Sequence, residues 1–302
     1  MKSSSVGRGS RRSGENEEQG RVASEPVVHE RAYAKVNFVL HVGRRLTDGL
    51  HPICSVFASI DLADEVSGEP GRDGEDTLEC PGVAGPNLAL AAVAAARGRL
   101  GVALPPLRLR IDKRIPVAAG LGGGSADAAA VLRIANRIAG EPLAPSELRE
   151  LAATLGSDVP SQLEPGHALV QGTGAVVEPM ALPRLAVVLL PALEGLSTGA
   201  VYAELDRTGG GRERLDPEPL RRLSNASPAE LAAALENDLQ RAALALRPEL
   251  EETLVRIRAA GALGAALSGS GPTCFGIFED RPAAERAAGA LPGAFVSELR
   301  SG

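Results

Sequence analysis

A glycine-rich run between a strand-like and a helix-like segment is the part of the sequence with the clearest chemical meaning. It contains four glycines and a serine at the entrance of the helix, in the order Pro116-Val-Ala-Ala-Gly-Leu-Gly-Gly-Gly-Ser-Ala-Asp127. The first N–H groups of a helix lack partners within the helix, and together with the helix dipole they favour an anion. The run therefore predicts a phosphate-binding loop. The plainer alternative is a turn that only lets the helix pack closely on a sheet.

This loop matches neither of the two best-known nucleotide loops. No Gly-Lys-Ser/Thr follows at the Walker spacing, and Ser125 stands where the dinucleotide fingerprint has its third glycine. The sequence therefore indicates a separate class of phosphate loop.

Lysine is rare in this chain, which uses arginine for almost every cation and keeps lysine only at Lys2, Lys35 and Lys113. A compact ammonium differs from the planar guanidinium and suits a point charge beside phosphate. Lys35 lies in an apolar alternating segment and is either such a cation or an edge-strand charge on a solvated face. Lys113, just before the glycine loop, is interpreted as an ordinary surface cation, with a nucleotide contact as the alternative.

Composition narrows the class of protein. With 302 residues, 44% of them hydrophobic, the chain is long enough for two globular domains. A net charge of −6 and an aromatic content of 2% argue against a nucleic-acid partner. No apolar run has membrane-spanning length and the N-terminus lacks the apolar core of a secretory signal, so we expect a cytoplasmic protein without a membrane partner. The three scattered cysteines support neither disulfides nor a zinc site and are predicted to be buried thiols.

Hydrophobic periodicity and turn residues predict how the chain is organised. Residues 1–27 are too polar to fold and are predicted to be a disordered tail. An N-terminal domain over 28–179 and a C-terminal domain over 180–302 follow. We expect strands over 29–43, 55–62, 107–111 and 186–190, a surface loop over 68–76, and a strand, glycine turn and strand over 264–278. We expect helices over 87–100, 128–138 and 146–155, the last with Ser146 as N-cap, and a mostly helical stretch over 231–260 with a break at Pro248.

An ordered set of motifs resembles one family of small-molecule kinases. The motifs are Ala34-Lys35-Val36-Asn37, Asp48-Gly49-Leu50-His51, the glycine loop, Gly156-Ser157-Asp158-Val159-Pro160, Glu236-Asn237-Asp238-Leu239 and Leu267-Ser268-Gly269-Ser270-Gly271-Pro272. Together they are similar to the 4-diphosphocytidyl-2-C-methyl-D-erythritol kinases of the GHMP superfamily, over nearly everything after the tail. The glycine loop and the Ser-Gly-Ser-Gly turn are shared across the superfamily, whereas the motifs around Lys35, His51 and Asp158 point to this branch.

The resemblance implies an α+β fold of two domains with the site in the cleft between them. The N-terminal domain would resemble the ribosomal protein S5 domain 2-like fold, and the C-terminal domain would be ferredoxin-like. The reaction would move the γ-phosphoryl group of ATP, bound with Mg²⁺, to the 2-hydroxyl of the erythritol moiety of the cytidyl-diphospho-methylerythritol substrate. By matched position, Asp158 would be the base and Lys35 the cation beside it, which suits the positioning and charge neutralisation that phosphoryl transfer needs. Asp127 is the rival carboxylate, ranked lower because the first turn of a helix favours an acid for structural reasons.

The same matching assigns binding residues. Mg²⁺ would travel with ATP, so no metal site is assigned to the protein itself. The ATP-binding residues would be Pro116, Val117, Ala118, Ala119, Gly120, Leu121, Gly122, Gly123, Gly124, Ser125 and Ala126, with Asn87 and Lys113 near the adenosine. Asn37, His51 and Tyr202 would bind the cytidyl substrate, with a core position as the alternative for Tyr202.

The sequence departs from the family at the cytidine end. Leu50 stands where the family usually has a tyrosine next to the histidine, so half of an aromatic sandwich is missing. One stacked aromatic contributes about 1–3 kcal/mol, so we expect weaker cytidine binding without its loss.

Two other classes of function stay open. One is another GHMP kinase, acting on homoserine or mevalonate, and the other is a non-catalytic binding protein on the same fold. The motifs around Asn37, His51 and Asp158 argue against the first, and Leu50 is the single feature in its favour. The presence of both Lys35 and Asp158 argues against the second, because a binding protein needs no base beside a phosphate. RNA binding is disfavoured by the acidic balance. We expect a monomer or a homodimer with a small-molecule substrate.

Overall fold

The computed structural model describes residues 27–71, 74–83, 85–101 and 103–300. The predicted tail, residues 1–27, lies outside these residues except for Val27. The strands are β1 (Val28–Val42), β2 (Ile53–Pro70), β3 (Thr77–Glu79), β4 (Leu107–Asp112), β5 (Ala168–Gly172), β6 (Val176–Pro179), β7 (Ala186–Leu190), β8 (Glu236–Asn237), β9 (Gly264–Leu267), β10 (Cys274–Phe278) and β11 (Phe295–Glu298). The helices are α1 (Leu88–Arg99), α2 (Gly123–Ile138), α3 (Pro145–Leu155), α4 (Val159–Gln162), α5 (Thr198–Arg207), α6 (Glu218–Arg221), α7 (Pro228–Ala233), α8 (Gln240–Leu246), α9 (Glu249–Ala259) and α10 (Arg281–Gly289).

The first sheet is built around the long strand β2. Its strand order is β3-β4-β2-β1-β8, and β5 and β6 extend from β2. Strand β1 runs antiparallel to β2 along nearly its whole length, whereas β4 and β5 pair with opposite ends of β2. Strand β1 is therefore an interior strand with apolar residues buried on both sides.

Alanine-rich helices cover one face of this sheet. Helices α1 and α2 pack against each other, and α2 also packs on β1 and β2. The buried positions of α1 are mostly alanines, and α2 buries a run of three at residues 128–130. Small side chains allow the two helices to approach each other and the sheet closely.

The second sheet has the order β11-β7-β10-β9, with every pair antiparallel. This is the strand order of the predicted ferredoxin-like arrangement, and the two sheets with their helices confirm the α+β fold class. Phe38 of β1 and Phe275 of β10 stack with ring centroids 5.8 Å apart, so one buried cluster joins the two sheets. The domain boundary near residue 180 stays a prediction.

Three local predictions are wrong in their bounds. Strand β2 continues to Pro70, because pairing with β4 extends it into the predicted surface loop. Helix α3 begins at Pro145 with Ala144, not Ser146, as N-cap; the Glu147 carboxylate accepts a hydrogen bond from the Ala144 N–H at 3.0 Å. The stretch over 231–260 is interrupted by β8, which pairs in parallel with β1.

Cys54 and Cys274 are buried free thiols, and Cys80 is a half-buried one. Within the described ranges, no helix combines the length and the apolar character that crossing a membrane requires.

Candidate functional site

The glycine loop connects β4 to α2 in a backbone conformation that depends on glycine. Gly120 and Gly122 have φ values of 77° and 72°, in the left-handed region that side chains disfavour, and Gly122 is the N-cap of α2. A Cβ atom on Gly120 would lie 2.4 Å from the Ser268 carbonyl oxygen. The loop therefore packs directly on the Ser-Gly-Ser-Gly turn of the second sheet, and the Ser268 hydroxyl donates to the Gly120 carbonyl at 2.9 Å.

Lys35 and Asp158 face each other beside this loop. Lys35 Nζ lies 3.2 Å from Asp158 Oδ2, and their side chains are 6% and 29% exposed. The same ammonium donates to Asn37 Oδ1 at 2.7 Å and lies 4.5 Å from the ring centroid of Phe57. One buried cation and one partly open carboxylate are thus brought together from segments 123 residues apart in the sequence. The alternative of a solvated charge for Lys35 is wrong.

Strand β1 and the two glycine turns hold this cation in place. The pairing of β1 with β2 is irregular just before Lys35 and just after Asn37. These irregularities turn the two side chains toward the loop. The Lys35 N–H donates to the Leu121 carbonyl at 3.0 Å, so the loop covers this edge of β1. A Cβ on Gly122 would lie 3.1 Å from Lys35 Cε, and the Asn37 amide is fixed by donation to Ser55 Oγ at 3.0 Å.

Asp158 is positioned by the start of a short helix. It is the N-cap of α4, and the Ser161 hydroxyl donates to its backbone carbonyl at 2.8 Å. Neither contact uses its carboxylate, so the carboxylate keeps acceptor capacity beyond Lys35.

A cleft of about 470 Å³ lies over the loop and this pair. Of the residues proposed from the sequence, the cleft is lined by Lys35, Asn37, Asn87, Lys113, residues 116–125, Asp158 and Tyr202. Ala126 does not line it, because it is buried inside α2, and neither does His51. Asn87 uses its side-chain oxygen as the N-cap of α1, accepting from the Ala89 N–H at 2.9 Å.

Lys113 is not an ordinary surface cation, and that interpretation is wrong. Its ammonium lies 2.5 Å from Asp64 Oδ2 and 2.7 Å from Asp127 Oδ2. Asp127 is in the second turn of α2 rather than the first, and it is buried. The Asp127 carboxyl is paired with Lys113, so Asp158 is the carboxylate available at the reacting end of the cleft.

His51 lies behind Tyr202 rather than on the cleft surface. The two rings pack with centroids 4.9 Å apart at an angle of 40°. His51 Nε2 lies 2.8 Å from the carboxylate of Asp206, which is one helical turn after Tyr202 on α5. Burial and then the charge of Asp158 raise the pKa of the Tyr202 hydroxyl, so Tyr202 is neutral.

Sequence reasoning missed two positioning contacts. Asp206 joins the loop before β2 to α5, and only its i, i+4 spacing from Tyr202 signals this. Asn237 donates to the carbonyls of Leu267 and Gly269 at 2.9 and 2.8 Å, so its motif ties the second glycine turn to β8. Among the described residues, no cluster of histidine, cysteine, aspartate and glutamate could hold a metal ion by itself.

Family models of known proteins match both the N-terminal and the C-terminal part of the chain. Residues 87–166 match the family model for the N-terminal domain of GHMP kinases, and residues 215–297 match that for their C-terminal domain. A relative from Nocardia farcinica, named 4-diphosphocytidyl-2-C-methyl-D-erythritol kinase, is 44% identical over 88% of this chain and 90% of its own length. A crystal structure of 4-(cytidine 5'-diphospho)-2C-methyl-D-erythritol kinase superposes with a TM-score of 0.75 at 35% identity, over 91% of this chain and all of that one. A homoserine kinase from Cytophaga hutchinsonii, at 17% identity and a TM-score of 0.65 over 90% of this chain and 94% of its own, shows the fold alone.

Proposed function

Since the chain belongs to the 4-diphosphocytidyl-2-C-methyl-D-erythritol kinases of the GHMP kinase family, we propose that Lys35 and Asp158 form its reaction centre. The enzyme transfers the γ-phosphoryl group of ATP to the 2-hydroxyl of 4-diphosphocytidyl-2-C-methyl-D-erythritol, a step in making isoprenoid precursors by the non-mevalonate route. The observation that supports this centre is the 3.2 Å contact between the buried ammonium and the partly exposed carboxylate at the cleft floor.

Asp158 acts as the base for the acceptor hydroxyl. Its carboxylate accepts the hydroxyl proton as the oxygen attacks the terminal phosphorus, and the neighbouring ammonium lies 3.2 Å from Asp158 Oδ2. Lys35 has little freedom to move, because Asn37, Phe57 and Gly122 surround it. A fixed and buried cation stabilises the charge that develops on the transferred group.

MgATP is the substrate that fills the glycine loop. The N–H groups at the start of α2 and the left-handed turn before it face the phosphates. Mg²⁺ binds phosphate oxygens and keeps several waters, so it would enter the site together with ATP. Asn87 and Lys113 line the same cleft, which supports their assignment to the ATP site.

Tyr202 and His51 form the cytidine end, with Asn37 toward the reacting hydroxyl. Tyr202 offers a ring to the cleft while His51 and Asp206 support it from behind. Leu50 is 49% exposed, where an aromatic side chain would complete a sandwich around the base.

The experiment that tests this function measures ADP release with MgATP and a panel of alcohols. We expect turnover with 4-diphosphocytidyl-2-C-methyl-D-erythritol and none with homoserine or mevalonate. Preferential turnover of either of those two alcohols would overturn the substrate assignment and leave only a GHMP kinase.

Leu50→Tyr is expected to strengthen binding of the cytidyl substrate. A second stacked aromatic contributes about 1–3 kcal/mol, so the KM for the cytidyl substrate should fall by about fivefold or more while the KM for ATP stays unchanged. Leu46→Tyr is the control, because Leu46 is a similarly exposed leucine of the same loop. Equal KM values for wild type and Leu50→Tyr would mean that the base binds elsewhere.

Asp206→Ala is expected to raise the KM for the cytidyl substrate about tenfold with little change in kcat. The loss of its hydrogen bond frees the His51 ring and the loop before β2, and a charge-assisted hydrogen bond contributes about 1.5–3 kcal/mol. Nitrogen NMR of the imidazoles checks the cause directly, since the chain has only four histidines. If the His51 nitrogen shifts move but the KM does not, then His51 has no part in substrate binding.

We expect the enzyme to work in the cytoplasm as a monomer or homodimer, without nucleic-acid or membrane partners. The net charge of −6 and the low aromatic content support the absence of a nucleic-acid surface.

A further inference from the structure

Behind the phosphate loop lies a buried charge cluster that takes no part in the proposed proton transfer. It consists of Lys113 between Asp64 and Asp127, with side chains that are 12%, 0% and 4% exposed. If both carboxyl groups were ionised, the cluster would hold a net negative charge inside the protein. Burying such an uncompensated charge is costly, so one proton on the cluster is favoured.

The two carboxyl groups have unequal partners. Asp64 Oδ1 accepts hydrogen bonds from the N–H groups of Arg114 and Ile115 at 2.5 and 2.8 Å, and its Oδ2 accepts from Lys113. Asp127 has Lys113 on Oδ2, but its Oδ1 is buried with no hydrogen-bond partner among the described residues. Asp64 thus has three hydrogen-bond donors on its two oxygens, whereas the unpartnered oxygen disfavours the ionised form of Asp127.

The cluster also joins the two ends of the phosphate loop. Asp64 fixes the backbone that enters the loop at residues 114 and 115, and Lys113 ties that segment to Asp127 on α2, which leaves it. Lys113 and Asp127 both line the cleft, and a Cβ on Gly123 would lie 3.4 Å from Lys113 Nζ. A change of charge at Asp127 therefore alters the electrostatic potential at the site proposed for the triphosphate.

We propose that Asp127 is a positioning residue for the phosphate loop and that MgATP binds preferentially to the form of the cluster in which the Asp127 carboxyl carries a proton. The inference rests on the proposed function only in placing ATP at the glycine loop.

The titratable groups facing Asp127 are Lys113 after β4, Asp64 on β2 and, further off, Cys80 after β3. Burial raises the pKa of Asp127 to about 7, the Lys113 ammonium opposes this shift and the negative Asp64 adds to it. The proton belongs to the carboxyl pair as a unit. A bound triphosphate brings more negative charge and favours the neutral carboxyl further, so ATP affinity should fall as the pH rises through 7.

Calorimetry with the β,γ-imido analogue of ATP and saturating Mg²⁺ tests this inference. At pH 8, where the Mg²⁺-bound analogue has lost its own protons, titrations in two buffers of different ionisation enthalpy give the protons taken up on binding. We expect the wild type to take up close to one proton and its Kd to rise by up to about tenfold per pH unit above pH 7. Asp127→Asn, which has no proton to gain, should show neither effect. Cys80→Ser should behave as the wild type, which excludes the nearby thiol as the source.

Equal pH profiles for the wild type and Asp127→Asn, or no proton uptake by the wild type at pH 8, would overturn the inference. The wild-type measurement decides by itself should the variant fail to fold. Failure of the proposed function is a separate result, since it is the absence of turnover with the cytidyl substrate while analogue binding still takes up a proton.

Discussion

Asp158→Asn is expected to lower kcat by about 10² to 10⁴-fold while MgATP still binds, because the amide keeps the shape of the side chain but cannot accept the hydroxyl proton. The carboxylate is not used by its own helix cap and reaches only Lys35 within the described residues, so its loss leaves the fold of α4 intact. Steady-state kinetics with the cytidyl substrate and calorimetric binding of the ATP analogue separate the two effects. Turnover at the wild-type rate would remove Asp158 from the reaction.

A control variant, a Lys35 variant and a double variant test the role of Asp158 more strictly. Glu164→Gln changes an exposed acid six residues away, which forms an ion pair with Arg149 at 3.4 Å, and should leave kcat unchanged. Lys35→Met should also abolish turnover, and combining it with Asp158→Asn should cost little more than either change alone, because residues that act as a unit have non-additive effects. Multiplicative losses would mean that the two groups act independently.

Gly120→Ala is expected to lower the free energy of unfolding by about 2–5 kcal/mol and to weaken MgATP binding strongly. The residue has φ 77°, and the added Cβ would lie 2.4 Å from the Ser268 carbonyl oxygen and 2.7 Å from that of Gly271. Both clashes are with backbone, so the glycine loop and the second glycine turn would have to separate. Chemical denaturation and binding of the ATP analogue measure the two consequences.

Gly124→Ala is the matched control from the same loop. A Cβ there would meet nothing within 4 Å, and the residue lies in the first turn of α2. Alanine is a better helix former than glycine by about 1 kcal/mol, so this variant should be as stable as the wild type or slightly more stable. Equal stability of the Gly120 and Gly124 variants would contradict the docking of the two turns.

Local pattern was sufficient for much of the fold. Alternation of apolar residues predicted β1 and β4, a continuous apolar run predicted β7, and the strand, glycine turn and strand of β9 and β10 were also predicted. The predicted ends of an element were wrong where pairing with another strand determines them. Strand β2 is extended by pairing with β4, and the short strand β8 forms by pairing with β1. Such pairing depends on segments far away in the sequence, which a local window does not contain.

The site, too, was only partly predictable from the sequence. The sequence by itself determined the glycine loop, because only glycine adopts its left-handed turns readily, and it determined the ordered motifs that mark the family. Tertiary structure alone decided that Lys113 is buried between Asp64, 49 residues before it, and Asp127, 14 residues after it, and that His51 pairs with Asp206 across 155 residues. A side chain's type fixes what it can donate or accept, but its burial and partner, and hence its charge state, follow only from which distant segments the folded chain brings beside it.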